Sequence, residues 1–205
     1  MGLEKELTAF GFDVTVTQKN KTVSSPIQSA FLKTNTLNQL LVITSDAAIA
    51  KGIPAGQILK IKLEVDTNPP AGFSTESRYL LQPIPFAVRS YTLADLFAGK
   101  MHALLCRKWK TRVKGRDWYD LVWYVTHHPR LHLAHLEQRM RQSGHWTDDE
   151  PITESAFSQL MNETIHRLNI HQAAQEVEPF VKDRRALELW SREFFVEISK
   201  RIELV

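Results

Sequence analysis

The spacing of apolar positions changes near residue 90. Upstream, short runs alternate apolar and polar residues; downstream, apolar residues recur every three or four positions. Phe12, Val14 and Val16 alternate with polar neighbours and predict a first strand. Residues 30–36 read as a second strand, followed by a short helix across Leu37–Ile43. The clearest strand is Ile58–Asp66. Its Ile61, Leu63 and Val65 alternate with Lys60, Lys62, Glu64 and Asp66, so two acids share one face. Asn68-Pro69-Pro70-Ala71-Gly72 stops it. Arg78–Gln82 and Phe86–Ser90 read as a further pair of strands.

From Leu93 the pattern turns helical. Leu93, Leu96, Phe97, Met101, Leu104 and Leu105 form one stripe of a helix over Leu93–Trp109, with Thr92 as its N-cap and Asp95 at the capping-box position. Further helices are expected over Arg116–Thr126, Leu133–Gln142, Glu154–Leu168 (capped by Thr153) and His171–Val177. A last long helix, Arg184–Glu203, carries Leu187, Trp190, Phe194 and Ile198 on one side. The fold class that follows is α+β: a small mixed β-sheet from residues 1–90, packed against a C-terminal helical bundle over 91–205.

Composition narrows the picture. A hydrophobic share of 43% supports a packed core, which excludes a disordered chain. The net charge of +3 is too small to argue for nucleic acid. Its distribution is more telling: seven Lys or Arg and no acid lie from Lys100 to Arg116, while acids gather over 146–163 and 176–197. The single cysteine, Cys106, excludes an internal disulfide framework and reads as a buried apolar residue. The N-terminus lacks a basic-then-apolar signal pattern, and no run approaches ~18 apolar residues, so a cytoplasmic protein with no membrane span is expected.

The candidate chemistry lies in GKMHALLCRKWKTRVKGRDWYD, residues 99–120. Lys100 and Arg107 fall at the margin of one helix's apolar stripe. Asp117, Asp120 and Tyr124 fall at a similar margin of the next. Lys110, Arg112, Lys114 and Arg116 surround them with positive charge. A lysine, a carboxylate and a dense positive field suit phosphate groups. Spacing leaves the alternative open that Asp117 makes a structural ion pair with Lys100 or Arg107, or answers the helix dipole. Glu64 and Asp66 could likewise hold Mg²⁺ or merely alternate on a half-exposed sheet. The chain has eight histidines, but the cluster His127, His128, His132 and His135 flanks Pro129 without an acid or cysteine at ligand spacing, so no zinc site is expected.

LADLFAGKMHALLCR followed by RVKGRDWYDLVWYV resembles the C-terminal signature of the AbiEii-type nucleotidyltransferase toxins, and KIKLEVDTNPPAGF resembles the strand before it. The likeness runs over about residues 12–126 and more loosely beyond. It implies a nucleotidyltransferase-like fold and metal-dependent transfer of a nucleotide from NTP to RNA, tRNA being the acceptor among relatives. It also implies a cognate antitoxin. By that resemblance Lys100 contacts nucleotide phosphate, Asp117 is the acid required for activity, and Asp66, or Glu64 beside it, is an acid of the Mg²⁺ site. Arg107, Lys110, Arg112, Lys114 and Arg116 support phosphate or RNA, and Tyr119 and Asp120 play structural parts. The superfamily's opening Gly-Ser turn and D-x-D pair have no counterpart here: the early glycines are Gly2 and Gly11, and no D-x-D follows either. Weak or absent activity is therefore expected of this chain. A sheet edge left open by the missing strand suits a homo-oligomer or a partner. The alternative is a non-catalytic module that binds RNA or a protein partner.

Overall fold

The computed structural model describes residues 69–82, 85–107 and 113–205 with their side chains. Of the first 68 residues it describes Lys5, Ala9 and the backbone of three strands. The chain divides into two compact units, residues 1–69 and 70–205.

In the first unit, β1 (Val14–Gln18), β2 (Thr36–Ile43) and β3 (Leu59–Asp66) form an antiparallel sheet in the order β1-β2-β3. Leu37–Ile43 is thus a strand and not the expected helix. The whole of β2 pairs with β3, and Gln39–Ile43 also pairs with β1. A central strand with ladders on both sides overrides the leucine spacing that suggested a helix, and the β-branched Val42 and Ile43 suit it. Residues 30–35 lie outside the described residues.

The second unit opens at a turn in which Gly72 adopts the left-handed conformation, φ 78°. A hairpin follows, β4 (Thr75–Leu80) against β5 (Phe86–Tyr91). The helices are α1 (Leu93–Cys106), α2 (Gly115–His127), α3 (Leu133–Gln142), α4 (Glu154–Arg167), α5 (Ile170–Val177), α6 (Arg185–Glu188) and α7 (Arg192–Ser199). Two short strands, β6 (Arg130–Leu131) and β7 (Glu203–Leu204), run parallel and fasten the end of the chain beside α3. The class is α+β, as the pattern predicts, with the described strands divided among three small sheets. The expected last helix is two helices. Ser191 turns extended (φ −144°, ψ 172°) and accepts the amide of Phe194, restarting the helix at Arg192. That break turns Phe195 into the core, 0% exposed, where it meets Trp118 edge-on at 4.8 Å.

α1 is the central helix. Phe97, Ala98 and Met101 are buried to 1% or less, and Phe97 stacks on Tyr124 of α2 at 4.6 Å. Its N-terminus is fixed by Asp95, a buried carboxylate that accepts from the Thr92 hydroxyl (2.5 Å), the Ser74 amide (2.9 Å) and His132 Nδ1 (2.6 Å). Those bonds hold its pKa below the usual carboxylate range, outweighing the upward push of burial. One side chain thus ties the hairpin, α1 and the start of α3 together.

Candidate active site

α1 and α2 carry the site. The start of α2 is set by Gly115. A Cβ there would lie 1.9 Å from the carbonyl oxygen of Ala173 on α5, so only glycine allows this approach. That contact fixes the first turn of α2, and with it Arg116, Asp117 and Asp120.

Lys100 Nζ donates to Asp120 Oδ2 at 2.6 Å. Arg107 stands 3.8 Å from Asp117 Oδ2. Of the two structural pairings the spacing allowed, the Arg107 pair is present and loose, while Lys100 pairs with the neighbouring aspartate. Both cations are about half exposed, at 47% and 48%. Exposed pairs of this kind contribute about 0–1 kcal/mol, so a polyphosphate can compete for either cation. Arg116 is held from the other side. Its amide donates to Glu176 Oε2 at 3.2 Å, and its guanidinium lies 5.2 Å from the centre of the Phe180 ring.

Asp117 is buried, at 8% exposure. Burial raises its pKa and Asp120 adds to the rise, while Lys114, Arg107 and Lys100 pull it down without cancelling it. A carboxylate held above its ordinary range is a stronger proton acceptor than an exposed one. It still faces open space. A cleft of about 340 Å³ is lined by Lys100, Lys114, Arg116, Asp117, Tyr119 and Asp120, and a second of about 380 Å³ by Lys100, Arg107, Lys114, Asp117 and Arg139 among others.

The structure therefore brings Lys100, Arg107, Lys114, Arg116 and Asp117 together. Lys110 and Arg112 lie outside the described residues, as does Trp109. Glu64 and Asp66 stand on β3 of the other unit, opposite Asn38 and Thr36 of β2. Asp120, to which the sequence reading gave only a structural part, lines the cleft and holds Lys100. The signal was its spacing of three from Asp117, which puts both at the same margin of α2. The four histidines around Pro129 have separate partners: His132 meets Asp95, His135 the Ala71 carbonyl and His127 the Trp123 carbonyl, while the His128 ring lies 5.4 Å from that of Trp123.

The described donors of this cleft do not suit a divalent metal. Asp117 and Asp120 are the acids of the cleft, and Lys100, Arg107 and Lys114 already answer them. The surplus is positive, which favours an anion.

An α+β protein with a cationic cleft beside a buried carboxylate suits an anionic ligand such as a phosphate ester. Residues 3–197 match the family model described as "Nucleotidyl transferase AbiEii toxin, Type IV TA system", and the chain belongs to that family. It is thus a nucleotidyltransferase-family toxin of a toxin–antitoxin system, which implies a nucleotide substrate and an antitoxin partner. No curated relative and no solved structure matches it. Among the described residues, no helix is long and apolar enough to cross a membrane.

Proposed function

We propose that this chain transfers a nucleotide from an NTP to RNA, with tRNA as the acceptor. The observation that carries the proposal is the cleft between α1 and α2, where buried Asp117 faces Lys100 and Lys114. In this reading Lys100 leaves Asp120 for the triphosphate and neutralises charge developing on it. Asp117 accepts the proton of the attacking RNA hydroxyl. The hydroxyl oxygen bonds the α-phosphorus, the bond to the bridging oxygen breaks, and pyrophosphate departs. Lys114, Arg116 and the basic stretch through Lys110 and Arg112 receive the RNA backbone. A divalent ion, Mg²⁺ by the family resemblance, falls to acids other than those of this cleft; Glu64 and Asp66 are the candidates the sequence offers. With no D-x-D pair in these residues, weak or absent transfer is expected of this chain. A cytoplasmic setting agrees with the lone cysteine, and an open sheet edge suits self-association.

A second reading has its own support, because the cations outnumber the acids of the cleft: a non-catalytic module that binds RNA or a protein partner. One experiment separates the two. The protein is incubated with labelled NTPs, Mg²⁺ and tRNA. Label transfer above background, lost about tenfold or more in Lys100→Ala and in Asp117→Ala, supports the enzyme. Salt-sensitive RNA binding without any transfer supports the module. Transfer that both variants retain overturns the assignment of these two residues.

A further inference from the structure

Away from the cleft, α1 carries a second set of chemistry-bearing side chains. His102 and Cys106 are four residues apart, so one turn of helix stacks them on the same face. His145 joins them from the end of α3. One ligand-type atom from each of the three side chains lies within 4.8 Å of the others. We propose that His102, Cys106 and His145 form a binding site for a zinc-class divalent ion, distinct from any metal used in nucleotide transfer.

His145 is held in place by backbone geometry. Gly144 adopts the left-handed conformation, φ 71°, one residue past the C-cap of α3. The Gly144 amide then donates to the Arg141 carbonyl at 3.0 Å and the His145 amide to the Met140 carbonyl at 2.8 Å. This is a Schellman closure, and it turns the chain back toward α1. The two rings stand edge to face, with centroids 6.2 Å apart.

Ser143 supplies the orienting group. Its Oγ lies 2.8 Å from His102 Nε2 and 2.9 Å from His145 Nδ1, and it donates to the Met140 carbonyl at 3.2 Å. With its proton on that carbonyl, the hydroxyl accepts from both imidazoles. Metal-bound histidines use oxygen partners in this way to fix ring orientation.

The donor set selects the ion. Two imidazoles and a thiolate match zinc and its neighbours, and suit Mg²⁺ or Ca²⁺ poorly. Tetrahedral ligand atoms stand about 3.3–3.7 Å apart, so closure requires a contraction of roughly 1 Å. Exposed His145 can supply it. The thiolate formed on binding offsets the positive charge of Arg139 and Arg107. Three protein ligands leave one coordination position for water. The ion would pin the end of α3 to α1, the helix that carries Lys100 and Arg107.

The test uses Co²⁺ as a coloured substitute, added to the full chain under reducing conditions. The expected result is a near-ultraviolet thiolate-to-cobalt band with intense tetrahedral visible bands, at one ion per chain, bleached by Zn²⁺. Cys106→Ser should lose the near-ultraviolet band. Because Cys106 is buried and its variant can fail to fold, exposed His145→Ala is the second arm and should weaken binding by about tenfold or more. Weak octahedral bands without the thiolate transition, or a His145→Ala affinity equal to the parent's, would overturn the site.

Discussion

At the scale of single residues, the sharpest question is what a buried acid gains by staying an acid. Asp117 has its pKa raised above the reference value of 3.8, with burial as the main cause. The sign follows by linkage. A carboxyl whose folded pKa is raised gives its full stability below the unfolded pKa and loses stability as pH rises through the folded one. At neutral pH the ionised form therefore weighs against folding. Asp117→Asn keeps the shape and removes the charge, so its thermal midpoint at pH 7 should equal or exceed that of the parent. The gap should close as pH is lowered toward the reference value, and nucleotide transfer should be lost. Thermal unfolding of both proteins across pH checks it; a lower midpoint for Asn at pH 7 would make Asp117 a structural ion-pair partner. Stability gained as function is lost is the mark of a functional residue. Periodicity had placed Asp117 and Lys100 at the margins of their helices, because helix wheels are local. It did not reveal which cation meets which acid, because that depends on the relative rotation of α1 and α2. Nor did it reveal the histidine and thiol cluster. His102 and Cys106 are visible at a spacing of four, but His145 arrives through a turn 39 residues beyond Cys106.

Elements were legible where a local device ends them. Thr92 and Thr153 cap α1 and α4 with their side-chain oxygens, at distances of 3.4 and 3.1 Å from the amides of Asp95 and Ala156. Phe86–Tyr91 pairs with Thr75–Leu80, close to the strand pair that alternation suggested. Elements whose identity depends on remote partners were not legible. β2 has a helical leucine spacing and is a strand because two other strands flank it. The final helix is broken at Ser191 because a restart there buries Phe195 against Trp118 and Trp190. The glycine of the RVKGRD run is the most exacting position at this scale. Its backbone has ordinary negative φ, so the need is for space: a methyl group would meet the Ala173 carbonyl oxygen at 1.9 Å and its carbon at 2.8 Å. Backbone cannot rotate away as a side chain can, so α2 and α5 must separate. Gly115→Ala should cost about 3 kcal/mol, the upper end of overpacking, although alanine is the better helix former by about 1 kcal/mol. Denaturant unfolding checks it. A variant as stable as the parent would mean that the two helices are not held this closely.

For the whole molecule, the division at Pro69–Pro70 separates the proposed metal-holding acids of β3 from the cationic cleft along the chain. The second unit holds a buried apolar core that runs from Phe97 to Ile198. That unit is 136 residues long, counting from 70 to 205, enough for an independent core. Residues 70–205 expressed alone should therefore fold, with a helical circular-dichroism spectrum and a cooperative thermal transition. The fragment also keeps the whole cationic cleft, since Lys100, Lys114, Arg116, Asp117 and Asp120 all lie within it. It should bind ATP, with an affinity that falls steeply as salt rises, because its contacts are half-exposed cations. It should transfer no label, because the β3 acids Glu64 and Asp66 are absent from it. The fragment thus tests the proposed assignment of roles: phosphate contact to the helices, metal-holding acids to the strand. If the fragment transfers nucleotide to tRNA as well as the full chain does, the strand acids have no part in the chemistry. If it folds and fails to bind ATP, the α1–α2 cleft is not the nucleotide site, and the basic surface is left to RNA or to the antitoxin.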